Sequence, residues 1–121
     1  MIKTSELIWQ DTQHQVLLKM IDEINARELD ASVFRRLCEY AEMHFVMEEE
    51  YMHKLGYPLI DEHIQAHDKF RSELKCMMQE HHSYDEIFRV ALSEFLSEWL
   101  KGHIFGIDKQ LEDFILKSDF K

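Results

Sequence analysis

The 121-residue chain carries 24 Asp and Glu against 14 Lys and Arg, a formal charge of −10, with 45% hydrophobic residues, 3 Gly and 1 Pro. This composition describes one small acidic domain over residues 1–121, able to bury about two-thirds of its unfolded surface around a single core. It excludes the basic surfaces that nucleic acid and anionic membranes select, and no apolar run reaches the roughly 18 residues of a membrane span. The opening MIKTSELIWQ lacks the apolar stretch of a signal peptide, and Cys38 and Cys76 form no CxxC pair, which predicts a reducing, cytoplasmic setting.

Gly and Pro are confined to Gly56, Pro58, Gly102 and Gly106, and β-branched runs are missing, so the chain reads as helix almost throughout. Asp11 or Thr12 is the expected cap of a first helix that buries Leu17, Leu18, Ile21 and Ile24 and ends before Asp30. A second helix opens near Ser32, carries Phe34, Leu37, Cys38, Ala41, Phe45, Met52 and Leu55 on one stripe, and stops at the KLGYP segment. There Gly56 suits a left-handed C-terminal position and Pro58 forbids continuation. A third helix from about Leu59 to His81 places Ile60, Ile64, Phe70, Leu74 and Met77 at helical spacing. Ser83 is the expected cap of a fourth that runs to about Leu116 and buries Phe88, Leu92, Phe95, Leu96, Trp99, Ile107, Leu111 and Phe114. Four amphipathic helices with short loops predict an all-α, antiparallel up-down four-helix bundle.

Polar residues interrupt these stripes. His44 and Glu48 occupy core positions of the second helix, and an unpaired ionised carboxylate in an apolar core costs several kcal/mol. His63 and His67 stand one turn apart on the third helix, where two imidazoles can face one ion. His14 precedes Leu17 by a turn on the first, and His103 follows Trp99 by a turn on the fourth. Asp108 follows His103 by five residues. That is about 140° of ideal rotation, off the stripe unless the helix is locally distorted. Gly102 and Gly106 mark where a π-bulge would be cheapest. Five His and two carboxylates exceed the needs of one ion and suit two ions bridged by the carboxylates, while leaving iron, zinc, nickel or copper open. His53, His81 and His82 read as surface residues, Glu49 and Glu50 as a solvated face, and Met47 and Met52 as core or gap-filling residues.

These residues closely resemble the hemerythrin family. His44-Phe45-x-x-Glu48-Glu49-x-x-Met52 is similar to its HFxxEExxM signature. Gly56-Tyr57-Pro58, His63-xxx-His67-xx-Phe70 and Trp99-xxx-His103-Ile104-xxx-Asp108 follow in the family's order, and Asp11-x-x-His14 resembles the first ligand segment. The resemblance implies a non-haem di-iron centre bridged by Glu48, Asp108 and an oxo or hydroxo group. His63, His67 and His103 would complete one iron. His14 and His44 would hold the other, whose open position takes O2 reversibly. Leu17, Phe45, Trp99, Leu100 and Ile104 are the positions expected around that open site, none of them a general acid or base. Such a dry pocket admits an apolar gas and withholds protons. One departure is that Trp9 stands only five residues before His14, whereas the family's arm is usually longer. The short arm predicts an uncovered bundle end, a solvent-reachable iron that autoxidises faster, and a helix around His14 open to shift or fraying.

Reversible O2 binding for storage, delivery or scavenging is the first functional expectation. A sensory domain is the second, and it would need an output region past Lys121, of which the sequence shows none. A di-iron oxidase, peroxidase or nitric oxide reductase would need a proton donor beside the open iron, and a zinc-binding or iron-storing bundle would be separated by metal analysis.

Overall fold

A computed structural model describes residues 3–26, 31–80 and 85–118. Helices α1 (Ile8–Ala26), α2 (Ala31–Leu55), α3 (Ile60–Glu80) and α4 (Glu86–Gly102) are followed by a π-helical turn, His103–Ile107, and by α5 (Asp108–Lys117). The turn joins α4 and α5 into one long rod, so the architecture is the expected four-helix bundle, without strands among the described residues. Each helix packs on its neighbour in chain order, and α1 closes the ring against α4.

Three boundaries have local causes. Gly56 adopts φ +66°, Tyr57 N–H reaches the Met52 carbonyl at 2.9 Å, and Gly56 N–H reaches that of His53 at 3.4 Å, which together close α2 as the KLGYP segment predicts. Helix α1 begins a turn earlier than expected. Asp11 lies inside it and turns its carboxylate back to accept from the Thr4 backbone N–H at 2.7 Å and the Thr4 hydroxyl at 2.8 Å. The cap of α4 is Asp85, whose side chain accepts from Phe88 N–H at 2.9 Å. The proposed cap Ser83, together with Asp30, His81 and His82, lies outside the described residues.

Two apolar clusters fill the bundle. The larger holds Leu17, Ile21, Phe34, Leu37, Phe45, Phe70, Phe88, Leu92, Leu96 and their neighbours, and the smaller holds Leu7, Met52, Tyr57, Leu111 and Ile115. Along α1 the chain passes from the smaller cluster at Trp9 to the larger at Leu17, and along α2 it returns from Phe34 to Met52. It passes again from Ile60 and Ile64 to Phe70 and Leu74 in α3, and from Leu92 to Leu111 in α4 and α5. This alternation is the antiparallel order. On every helix the metal-ligating residue types fall between the two clusters, so they form one polar layer inside the bundle. Met52 is fully buried in the smaller cluster, whereas Met47 is only half-buried.

Candidate metal centre

Seven buried side chains meet in that layer and fall into two overlapping groups: Glu48, His63, His67, His103 and Asp108; and His14, His44, Glu48 and Asp108. Within each group one donor atom per residue lies within 4.8 Å of all the others. The π-helical turn is what admits Asp108. Its N–H bonds the His103 carbonyl five residues back, and the added residue turns the Asp108 side chain onto the inner face beside His103. His63 and His67 share the inner face of α3 one turn apart, as do His44 and Glu48 on α2.

Asp108 divides its oxygens between the groups. Its Oδ1 stands 2.9 Å from His103 Nε2 and 3.1 Å from His63 Nε2, and its Oδ2 stands 2.9 Å from His14 Nε2 and 3.9 Å from His44 Nε2. Glu48 behaves differently. Its Oε1 faces His67, His63, His44 and His103 at 3.1, 3.4, 3.5 and 4.0 Å, while its Oε2 accepts a 2.8 Å hydrogen bond from Gln10 Nε2.

The donor set fits a cation. His63 Nε2, His103 Nε2 and Asp108 Oδ1 are buried without a hydrogen-bond partner, although they lie within contact distance of one another. Ligands at right angles, each about 2.1 Å from an ion, stand about 3 Å apart, which matches the 2.9 and 3.1 Å separations found here. The electrostatics agree. Burial works against protonation of His103, yet Asp108 and then Glu48 lift its pKa to about 9. Burial and the adjacent Asp108 push the Glu48 carboxyl up, and His44, His103 and His63 more than offset them and hold it well below its usual range. Asp108 is likewise held low against burial, first by His103 and then by His14 and His44. A cation bound in this layer would compete with protons for the imidazoles beside those carboxylates.

A second set of contacts orients the ligating residue types, and most of it was invisible to periodicity. His14 Nδ1 bonds the Thr4 hydroxyl at 3.0 Å, and that hydroxyl passes its own proton toward Asp11. His44 Nδ1 bonds Gln13 Oε1 at 2.6 Å, and Gln13 Nε2 in turn rests on the Met47 sulfur at 2.9 Å. Glu49 is not part of a solvated face. Its carboxylate accepts from His67 Nδ1 at 2.8 Å and is held by Arg71 at 3.2 Å, so it orients an imidazole as carboxylates behind metal-ligating His do. Arg71 also lies 5.3 Å from the centre of the Phe45 ring. Among the remaining His, His53 is exposed as expected. The Tyr57 hydroxyl is buried without a partner, and burial, then Asp108, raises its pKa, so it stays a protonated phenol.

Leu17, Phe45, Leu100 and Ile104 are buried and Trp99 is half-buried, all in the larger apolar cluster. The Phe45 ring stacks on His67 at 4.1 Å and Trp99 on His103 at 4.3 Å, so the aromatic part of the expected pocket lies against the three-His group. The short arm does not uncover the bundle. Thr4 and Ser5 are 2% exposed, Leu7 joins the smaller cluster, Glu6 N–H bonds Glu112 at 3.2 Å, and His14 is fully buried on an unfrayed α1. The arm folds straight back on its own helix through Asp11.

The chain is similar in sequence to several hemerythrins. Myohemerythrin of Riftia pachyptila is 31% identical over 98 residues, covering 81% of this chain and 76% of that protein. Bacteriohemerythrin of Stenotrophomonas maltophilia is 26% identical over 123 residues, 88% of this chain and 80% of its own length, and the hemerythrin-like protein of Naegleria gruberi is 28% identical over 96 residues, 79% and 74%. No solved structure matches the chain. The family profile described as the hemerythrin HHE cation binding domain matches residues 8–115, and the chain therefore belongs to the hemerythrin family.

Proposed function

We propose that the protein binds O2 reversibly at a pair of non-haem iron ions in the polar layer, as a store, carrier or scavenger and without net turnover. In this reading His63, His67 and His103 hold one iron, His14 and His44 hold the other, and Glu48 and Asp108 serve both together with an oxo or hydroxo group. The observation that carries the reading is the unequal division of donors: five residues surround one position and four the other, inside a bundle whose adjoining walls are buried apolar side chains. When bound, the iron pair supplies the electrons that capture O2. The chain's own residues hold the ions at fixed spacing, exclude water with Leu17, Leu100 and Ile104, and engage the polar groups that contact His14, His44 and Glu48. Thr4, Gln10 and Gln13, which bond His14, Glu48 and His44, spend hydrogens or lone pairs on those residues, which argues against an enzyme that must deliver protons on that side.

Free Cys38 and Cys76 suit a reducing compartment, and no helix among the described residues is long and apolar enough to cross a membrane. The test is an anaerobic optical titration with metal analysis. The protein is reduced, its iron per chain counted, O2 admitted and then removed. Two irons and a visible band that appears and disappears with O2 support the reading. One-way oxidation overturns it in favour of redox sensing or an oxidase, and zinc in place of iron overturns the choice of metal.

A further inference from the structure

We propose that the outer groove between α1 and α4 binds a small amphipathic anion, a medium-chain carboxylate, with Lys19 and Lys101 on its head group and its tail against Phe105. The groove has a volume of about 920 Å³, against about 210 Å³ for the cleft between α2 and α3. Clefts that hold small ligands span roughly 300–1,000 Å³. Leu18, Lys19 and Asp22 of α1 line one wall. Ser97, Lys101 and Phe105 stand four residues apart along α4 and the π-helical turn and line the other. Ile21 is buried at the base. Thr4 also lines the groove, but its hydroxyl is already committed to Asp11 and His14, so it offers a ligand little.

Charge selects the head group. The chain as a whole carries −10 and repels anions, yet this groove sets two lysines against the single carboxylate of Asp22. Neither Lys19 nor Lys101 has an ion-pair or hydrogen-bond partner among the described residues, whereas Lys3, Arg71, Arg89 and Lys109 are each spent on a carboxylate. The cleft between α2 and α3 is apolar too, but its Arg71 is held by Glu42, Asp68 and Glu49, and Glu42 is itself part of the lining. Asp22 stands one turn from Lys19 and disfavours a second negative charge, which suits a monoanion. The tail follows from Phe105. That ring is 54% exposed beside half-buried Leu18, so an apolar chain laid along the groove removes both from water, which an inorganic anion would not do. The lysine stems can lie along the same apolar surface while their ammonium groups reach the carboxylate.

The test is calorimetric titration of octanoate, and of uncharged 1-octanol, into the full chain carrying its metal, with sedimentation of the ligand-free protein alongside. Octanoate should bind at a single site with Kd about 0.5 mM, and 1-octanol about fivefold more weakly. A Lys19→Ala, Lys101→Ala double variant should weaken octanoate about fivefold, the scale of two exposed charge contacts, and leave 1-octanol unchanged. Phe105→Ala should weaken both probes about threefold, through lost apolar contact. Lys75→Ala, at the cleft between α2 and α3, should change neither. All four side chains are exposed, and circular dichroism confirms that each variant keeps the helical fold. Equal affinity for the two probes, or no saturable octanoate binding below about 5 mM, overturns the inference. So does weakening by Lys75→Ala in place of the double variant, which moves the ligand to the other cleft. A ligand-free dimer that Phe105→Ala dissociates overturns it as well, and gives the groove to a second copy of the chain.

Discussion

The two sides of the polar layer share Glu48 and Asp108 and are otherwise built by different means. On the three-His side the imidazoles are wedged by rings: Phe45 against His67, Trp99 against His103, and Tyr57 edge-on to His63 at 6.4 Å. There only His67 has a hydrogen-bond partner on its outer nitrogen, since Nδ1 of both His63 and His103 is buried and unpartnered. On the two-His side His14 and His44 are each held by a hydrogen bond to an acceptor oxygen, of Thr4 and Gln13, and the arm adds Ser5 through Gln10. One side is therefore positioned by shape and the other by polar contacts. Shape is stiff because a close-packed core has few alternative arrangements, whereas a chain of hydrogen bonds fails at its first missing member.

That contrast can be broken or sharpened by substitution, and the largest effect falls on what the two sides share. Glu48→Ala should lose metal from both groups, because its Oε1 reaches both, while His14→Ala should empty the two-His position and spare the other. Metal analysis after dialysis checks this. Retention of two ions by Glu48→Ala would remove Glu48 from the centre.

Next comes the ring-wedged side. Phe45 is 1% exposed and touches His67, Phe70 and Trp99, so Phe45→Ala should destabilise the fold by about 3–5 kcal/mol in urea unfolding. Thr4→Val tests the polar side. It removes the hydroxyl between His14 and Asp11 while keeping the volume, and it should cost about 1–3 kcal/mol and speed metal loss from one position only. An equal loss rate at both positions in Thr4→Val would show that the sides are not positioned separately.

The smallest effect is a rate. Cys38 packs against the larger cluster near Phe45, and burial, with a contribution from Glu39, raises its thiol to about 11. At pH 8 about one thiol in a thousand is then ionised, so alkylation of Cys38 should be slow and should accelerate about tenfold per pH unit toward 11. Exposed Cys76 is the internal reference, and mass spectrometry separates the two. Phe45→Ala should quicken alkylation of Cys38, and Thr4→Val should leave it unchanged.

What could be read from the amino-acid order follows from helical periodicity. Four helices, their antiparallel order, the stop at Gly56 and Pro58, and the inward seating of His14, His44, Glu48, His63 and His67 all depend on spacing along one helix, and spacing is local. Even the π-helical turn was legible, because Asp108 lies off an ideal stripe and two glycines flank the place where one extra residue restores it. The contacts that orient the imidazoles were not. Gln10 and Gln13 stand one turn before His14 and Leu17, and Glu49 stands in the HFxxEExxM signature, yet nothing in these segments, or in that of Thr4, names the partner each one meets. Their roles arise only when separate segments meet: the folded-back arm meets α1, α1 meets α2, and Glu49 on α2 meets His67 on α3. The same holds for the fate of Glu48. Its burial follows from its place on α2, but its partners come from other segments: an amide on α1 bonds one carboxylate oxygen and an imidazole on α3 faces the other, and only the folded chain brings them together.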